Sequence, residues 1–310
     1  MTDSANESAA NRSLSSLSRA QLETILDASP LGMAITRYYD GVIVYVNSTL
    51  ADWAEISVDE IIGTPAINYY CDMDALSAAM EVLKDGRPVN NCEMRMKGTD
   101  GAYLWRQVNM VALWLDDERI ILSWYNDINE LLKARQELIH LAKHDALTGL
   151  ANIAHFGEYL IEAAESAVAN TAVASLLYLD LDDFKKVNDR YGHQFGNRVL
   201  KMVVDRIRLC IDDNDFAARI GGDEFALIVE STDIDVQAAL DKAEQILAMV
   251  REPYSIDGKN ASLSISIGVT HFDGKSHCAD EIVTQADNAM YRAKHGGKNR
   301  ICVHSSANNG

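Results

Sequence analysis

The sequence feature that most constrains the fold is the segment Arg219-Ile-Gly-Gly-Asp-Glu-Phe225, which lies between two β-prone runs. Adjacent glycines in this setting predict a tight hairpin, because glycine adopts turn conformations easily and lets a ligand approach the backbone closely. The two acids that follow, Asp223 and Glu224, are suited to hold a hard cation. An ordinary polar turn would carry the same residues, so the segment alone predicts a hairpin and leaves its role open.

A second acidic element follows the apolar run AVASLLYLDL at residues 172–181, which predicts a buried strand. Asp180 lies near the carboxyl end of that predicted strand. There, a carboxylate brought beside those of the hairpin would help to form a Mg²⁺ site. For Asp182, Asp183 and Asp189, a solvated loop is the simpler interpretation.

The chain is long enough for about two domains. Residues 1–20 are rich in Ser, Ala and Asn, and they predict a disordered leader and not a secretory signal. Residues 21–127 predict an α+β domain of two strands, short helices and three further strands, with a hairpin turn at Asp100-Gly101. Residues 128–143 predict a helix. Residues 144–305 alternate strands and helices around an antiparallel pair, so the overall class is α+β.

The helix predicted at residues 128–143 is amphipathic. Leu131, Ala134, Leu138 and Leu141 recur at spacings of three and four with charged residues between them. The pattern fits two interpretations equally. The helix packs on a neighbouring domain, or it forms a short two-stranded coiled coil between protomers.

Composition narrows the class of protein. A formal net charge of -18 argues against binding to nucleic acid or to an anionic membrane, and no apolar run reaches the ~18 residues of a membrane span. Five scattered cysteines without a CxxC pair predict reduced thiols and a cytoplasmic location. A chain this acidic must gather cations locally if it handles a phosphate ligand.

Four segments occur in an order that resembles one known family. Besides RIGGDEF they are DALTGLAN at 145–152, DLDDFKKVNDRYGHQFGN at 180–197 and ADNAMYRAKHGGKNR at 286–300. Together they resemble the GGDEF-family diguanylate cyclases over roughly half of the chain. The resemblance implies a nucleotide-cyclase-like domain at 144–305, with an antiparallel or mixed sheet flanked by helices.

The same resemblance implies a site. It would bind Mg²⁺ or Mn²⁺ through Asp180, the backbone carbonyl of Leu181, Asp223 and Glu224, and it makes Asp223 and Glu224 the catalytic acids. The implied substrate-binding residues are the backbone at Phe184 and Lys185 for the phosphates, Lys294 and Lys298 for the terminal phosphate, Asn188 and Asn197 for the guanine, and His193 in the GHQFGN segment.

The implied reaction condenses two GTP molecules into cyclic di-GMP and pyrophosphate. A ribose 3′-hydroxyl attacks the α-phosphate of the second GTP, with metal ions to neutralise the developing charge. Each domain holds one GTP, so the resemblance implies a homodimer. This favours the coiled-coil interpretation of residues 128–143.

Two positions depart from the family pattern. Asn197 replaces the final Asp of GHxxGD, and an amide offers guanine one acceptor and one donor that guanine cannot pair. We expect either retained GTP specificity, which is the simpler outcome, or relaxed selection with some cyclic GMP-AMP. Asp212-Asp-Asn-Asp215 occupies the window of the family's RxxD product-inhibition site, so we expect no inhibition by product there.

Residues 21–127 resemble a PAS sensor domain, through GVIVYVNSTLADW at 41–53, EIIGTP at 60–65 and NDINE at 126–130. All eight histidines lie from His140 onward, so we expect no b-type haem. A small molecule or flavin as PAS ligand, or a purely dimerising role, remains open. The four tryptophans are expected in the core: Trp53, Trp105, Trp114 and Trp124.

Three other functions compete with a regulated cyclase. A non-catalytic receptor for GTP or cyclic di-GMP would be expected to keep RxxD and need not keep the acids and lysines. A phosphodiesterase would need an ExLxR-type segment, which is absent. A pure interaction module is supported only by Asn197.

Overall fold

The computed structural model describes residues 18–98, 103–170, 173–231, 236–273 and 278–305. The chain divides into two compact units, Met1–Gln136 and Glu137–Gly310. Most of the predicted leader and the predicted turn at Asp100-Gly101 lie outside the described residues.

The first unit is built on one antiparallel sheet with the strand order β2-β1-β5-β4-β3. A single-turn 3₁₀ helix covers Ala66–Tyr69. The other elements are α1 (Arg19–Asp27), β1 (Gly32–Arg37), β2 (Ile43–Val46), α2 (Ser48–Ala54), α3 (Val58–Ile61), α4 (Met73–Lys84), β3 (Val89–Lys97), β4 (Tyr103–Leu115) and β5 (Glu118–Asp127).

Local sequence explains where these helices begin. Ser18 caps α1 by accepting from the backbone N–H of Gln21, so the helix includes the last two residues of the segment predicted as a leader. Asn47 is fully buried and ties three segments together. Its Oδ1 accepts from the backbone N–H groups of Met33 and Leu50, and its Nδ2 donates to the carbonyl of Leu31.

The tryptophans of the first unit are a correction. Trp114 is 69% exposed on β4, and the other three are only partly buried. The core consists mainly of aliphatic side chains and methionines together with Tyr70 and Tyr125, and Leu83, Met94 and Val108 are fully buried.

The predicted linker helix is α5 (Asn129–Lys143). Its first turn is fixed by Asn129, whose Oδ1 accepts from the backbone N–H of Trp105 at 3.1 Å. Leu131, Leu138 and Leu141 of the apolar stripe seen in the sequence are 63–66% exposed among the described residues.

The second unit is a five-stranded sheet in the order β12-β11-β6-β8-β7, in which β11 and β12 are parallel and the other neighbours are antiparallel. A two-stranded ribbon, β9-β10, is separate. The elements are α6 (Ile153–Asn170), β6 (Val173–Asp182), α7 (Phe184–Tyr191), α8 (His193–Arg208), β7 (Phe216–Gly221), β8 (Glu224–Ser231), α9 (Gln237–Arg251), β9 (Tyr254–Ile256), β10 (Lys259–Ala261), β11 (Ser264–Phe272), α10 (Ala279–His295) and β12 (Arg300–Val303).

Alternation along the central strand β6 builds three layers. Leu177 and Leu179 face the core shared with α8 and α9, and Leu176 and Tyr178 face the core shared with α6 and α10. A Cβ added to Gly268 on β11 would lie 2.1 Å from the carbonyl oxygen of Ala286. Glycine there lets α10, which carries Lys294, pack directly on the sheet.

The loop interpretation of two acids is wrong. Asp182 is the last residue of β6 and is only 4% exposed. Asp189 is exposed, but it lies on α7, a helix that hydrophobic periodicity over eight residues did not reveal.

None of the helices in the described ranges is both long and apolar enough to cross a membrane. The five cysteines are all free thiols, as their spacing predicted.

Candidate active site

The two acidic elements meet where β6 ends and its neighbour β8 begins, at one end of the paired strands of the second sheet. Asp180 on β6 is the direct cross-strand partner of Glu224 on β8. The backbone N–H of Leu181 donates to the carbonyl of Asp223 at 3.2 Å. The strand end and the hairpin tip are therefore fixed to each other by backbone pairing.

Asp180 is the most buried of these acids, at 4% exposure. Lys294 of α10 approaches it, with Nζ 2.6 Å from Oδ2. Burial raises the pKa of Asp180 to about 6, Lys294 opposes that rise, and the charges of Asp223 and Glu224 add to it. Three carboxylates thus share one small region around a single ammonium group.

Arg219 braces the hairpin and is a residue that the sequence analysis did not single out. Its Nη2 and Nε donate to the carbonyl of Gly222 at 2.6 and 3.1 Å, and its Nη1 donates to both carboxylate oxygens of Asp145. Asp145 also accepts from the backbone N–H and the hydroxyl of Thr148. The DALTGL segment therefore anchors the hairpin, and the shared motif order was the only signal of it.

Asp182 holds a second loop in place. Its two oxygens accept from the hydroxyls of Ser264 and Ser266, and Oδ2 also accepts from the backbone N–H of Asn299 at 3.0 Å. Lys298 and Asn299 both have positive φ, so this tight turn depends on the buried carboxylate to hold its shape.

Lys298 reaches the beginning of α7. Its Nζ lies 2.9 Å from Oδ1 of Asp183, which also pairs with Lys186 at 3.1 Å. Hydrogen bonds from these two lysines hold the pKa of Asp183 below its ordinary range. Both lysines expected to bind phosphate are therefore near the acids, each engaged with a carboxylate of the chain.

The two residues whose backbone is expected to hold the phosphates, Phe184 and Lys185, form the beginning of α7. The Phe184 side chain is buried, Lys185 is exposed, and Asp183 makes no side-chain capping bond. The N–H groups of a first helical turn point outward and favour an anion.

The expected guanine-binding residues lie where α7 meets α8. A Cβ on Gly196 would lie 1.8 Å from Oδ1 of Asn188, so glycine is required for Asn188 to lie against α8. His193 at the start of α8 and Asn197 beside Gly196 are exposed. The structure thus places Asn188 against Gly196, the neighbour of Asn197 in the chain, and leaves the Asn197 side chain exposed.

The acids suit a hard divalent cation in chemistry, because they supply only oxygen ligands. In the part of the chain that the structure describes, however, no group of three or more His, Cys, Asp or Glu side chains is arranged to hold a metal. Lys294 occupies the Asp180 oxygen that a cation would take.

The window of the family's inhibitory site is closed by an internal ion pair. Lys242 of α9 pairs with Asp215 and, at 2.7 Å, with Asp212. The Asp215 side chain is only 4% exposed. An acid and a buried ion pair thus replace the exposed arginine of the family pattern.

Comparison with models of known protein families gives one match in each part of the chain. The model of the "PAS fold" matches residues 20–125, and the model described as "Diguanylate cyclase, GGDEF domain" matches residues 142–300. The first unit is accordingly a PAS domain. The chain belongs to the GGDEF diguanylate cyclase family.

Individual relatives support the assignment. MucR of Pseudomonas aeruginosa, named a bifunctional diguanylate cyclase/cyclic di-GMP phosphodiesterase, is 38% identical over 179 residues, covering 58% of this chain and 26% of MucR. Diguanylate cyclase DgcM of Escherichia coli is 36% identical over 205 residues, covering 66% and 49%. The chain thus spans half or less of these relatives.

Among solved structures, the coiled coil and GGDEF domain of DgcB from Caulobacter crescentus, in complex with c-di-GMP, superimposes with a TM-score of 0.53. The two are 28% identical, and the match covers 57% of this chain and 93% of that one.

Proposed function

We propose that this protein is a diguanylate cyclase that condenses two GTP molecules into cyclic di-GMP, with release of one pyrophosphate from each GTP, as a homodimer under PAS control. The observation that carries the proposal is the pairing of Asp180 with Glu224 beneath Lys294. A hairpin with a purely structural role does not require three carboxylates near the end of one strand together with a lysine that pairs with one of them.

The chain's own groups would divide the work. Each GTP would place its phosphates at the start of α7, near Phe184 and Lys185, where Lys294 and Lys298 exchange their carboxylate partners for phosphate oxygens. Asp223 and Glu224 at the hairpin tip would orient the 3′-hydroxyl and accept its proton.

Mg²⁺ or Mn²⁺ would be held by Asp180, Asp223, Glu224 and the carbonyl of Leu181. When bound, such an ion neutralises charge on the transferring phosphoryl group. Transfer of Lys294 from Asp180 to a phosphate frees the carboxylate for that role.

Base selection would rest on Asn188 and Asn197. Retained GTP specificity is the first expectation, and the exposed Asn197 amide is the observation that keeps cyclic GMP-AMP as a second product. Product inhibition through the Asp212–Asp215 window is not expected, because Asp215 is already neutralised by Lys242.

The homodimer would form through α5 and the PAS domain, and GTP is the partner ligand. We place the protein in the cytoplasm, since its five free thiols suit a reducing compartment. Neither nucleic acid nor a membrane surface is proposed as a partner.

The decisive experiment incubates the full chain with Mg²⁺ and GTP, with and without ATP, and identifies the products by mass spectrometry. We expect cyclic di-GMP, reduced at least about a hundredfold by Asp223→Ala. Asp205→Ala, an exposed acid on α8, is the matched control and should be fully active.

Other outcomes separate the competing functions. Formation of the mixed product cyclic GMP-AMP in the presence of ATP would support a cyclase of relaxed base specificity instead. The absence of any product from a verified dimer that still binds GTP would favour a non-catalytic receptor.

A further inference from the structure

The described part of the PAS domain contains a partly open cavity of about 240 Å³. Its wall is formed by β1, β4 and β5 of the sheet, by α4 and by the 3₁₀ segment. Most of the wall is apolar, and the polar atoms that the argument uses are hydroxyls. The residues that matter here are Thr36, Tyr70, Met80, Met110, Ser123 and Tyr125.

A row of hydroxyls lies in this wall. Oη of Tyr70 and Oη of Tyr125 are 2.8 Å apart, and the Ser123 side chain hydrogen-bonds Tyr125. Each hydroxyl has one hydrogen to donate and lone pairs to accept. Whichever way the row is oriented, Tyr70 at its end keeps an unused donor or acceptor among the described contacts. Burial raises the pKa of both tyrosines, so the row is neutral.

Charge around the cavity selects against ionic ligands. Among the described residues that line it there is no Lys, Arg or His. The only charged group is Asp40, which pairs with Arg37 at 2.8 Å. Burial of an unpaired charge is expensive, so an anion would find no partner here.

Size sets a further limit. A cavity of about 150 Å³ holds benzene, so by proportion this one accommodates about ten non-hydrogen atoms. A ligand that lies wholly inside the cavity is therefore limited to one substituted ring or a small bicyclic ring.

We propose that this cavity binds a small, uncharged aromatic compound that carries a hydroxyl or N–H group, of the phenol or indole class. The ring packs against Met80 and Met110, whose flexible thioethers pack well on aromatic surfaces. The polar group bonds to the Tyr70 hydroxyl. Binding here is independent of the cyclase proposal, and the two can fail separately.

The test measures binding of p-cresol and of toluene to the full chain by titration calorimetry. We expect saturable binding of p-cresol, weakened about three- to tenfold by Tyr70→Phe, as expected for the loss of one hydrogen bond. Toluene lacks the hydroxyl, and its affinity should change less than twofold. The control is Tyr39→Phe, which alters a tyrosine 72% exposed and outside the cavity wall.

A second variant fixes the location without relying on Tyr70. Met80→Trp places a larger side chain into the cavity from a partly exposed position on α4, and it should abolish binding of both probes. The anion 4-hydroxybenzoate should bind at least about tenfold more weakly than p-cresol. No saturable binding, equal loss of both probes on Tyr70→Phe, or binding that survives Met80→Trp would each overturn the proposal.

Discussion

At the scale of single residues, the two lysines of the candidate site form ion pairs with carboxylates of the same chain. Lys294 is held by Asp180, and Lys298 is held by Asp183, in a chain whose net charge is -18. A triphosphate can replace these carboxylates as the partner of each lysine, and the buried Asp180 then needs the proposed cation as its new partner. The acidic composition and a phosphate-binding function are thereby reconciled locally.

Asp183 offers a matched comparison, because Lys298 and Lys186 both pair with it. We expect Lys298→Ala to weaken binding of a non-hydrolysable GTP analogue by about 10- to 100-fold, the range for a lost charge-assisted hydrogen bond. Lys186→Ala, the control, should change it less than about threefold. Equal effects in calorimetry would mean that the lysines act only through the local charge.

The Asp145–Arg219 brace predicts a pH dependence. Burial raises the pKa of Asp145, but hydrogen bonds from Thr148 and Arg219 outweigh it and hold the value below the ordinary 3.8. The ionised form is thus favoured by folding. Its contribution is fully present above the unfolded-state value and is lost only as the pH falls through the folded-state value.

We therefore expect Asp145→Asn to lower the free energy of unfolding by about 1–3 kcal/mol. The difference from the unmutated chain should stay constant from pH 7 to pH 5 and shrink below about pH 4. Urea unfolding measures it, with the exposed Asp205→Asn as control, expected within about 0.5 kcal/mol. A difference that already shrinks between pH 7 and pH 5 would contradict a lowered pKa.

At the scale of elements, two glycines differ in the space that surrounds the position of an added Cβ atom. A Cβ on Gly268 would collide with the backbone of α10 at 2.1 Å, whereas a Cβ on Gly157 of α6 meets nothing within 4 Å. We expect Gly268→Ala to destabilise the fold by about 1–3 kcal/mol or more. Gly157→Ala should stabilise it by about 0.5–1 kcal/mol.

Thermal or urea unfolding of both variants checks the pair. Because α10 carries Lys294, Gly268→Ala should also weaken GTP binding, and Gly157→Ala should not. Similar stability for the two variants would show that α10 can move off the sheet without cost.

The sequence predicted those elements whose pattern is strong. A hydrophobic run marked β6, and the paired glycines marked the hairpin between β7 and β8. α7 was missed because eight residues give too few repeats of a helical period. α6 was not assigned either, although its 18 residues are apolar on average.

For the site, the motifs grouped acids and lysines into one expected site without indicating their partners, which the structure gives as Lys294 with Asp180 and Lys298 with Asp183. They did not indicate contacts that depend on tertiary packing. Examples are Asp182, buried by two serines on β11, and Lys242, which closes the Asp212–Asp215 window from α9. Such contacts join elements far apart in sequence, and no local pattern encodes them.

At the scale of the whole molecule, the proposed reaction makes association a condition of activity. Two GTP molecules bound to separate domains react only when two chains meet. Two exposed leucines of α5, Leu138 and Leu141, follow the exposed Leu131 by seven and ten residues. Burial of a leucine contributes about 1.5–3 kcal/mol, so burial of a few such residues contributes substantially to the free energy of dimerisation.

We accordingly expect the double variant Leu131→Gln with Leu138→Gln to weaken dimerisation at least about tenfold in sedimentation experiments, since it removes two buried side chains per chain. The control exchanges two exposed acids at the same spacing of the same helix, Glu130→Gln with Glu137→Gln, and should leave the dimer intact. Cyclase activity per chain should fall with dilution in step with the dimer fraction, and the leucine variant should recover when concentrated. Full activity in the monomeric range would remove the reason for a helical interface and return α5 to a packing role within one chain.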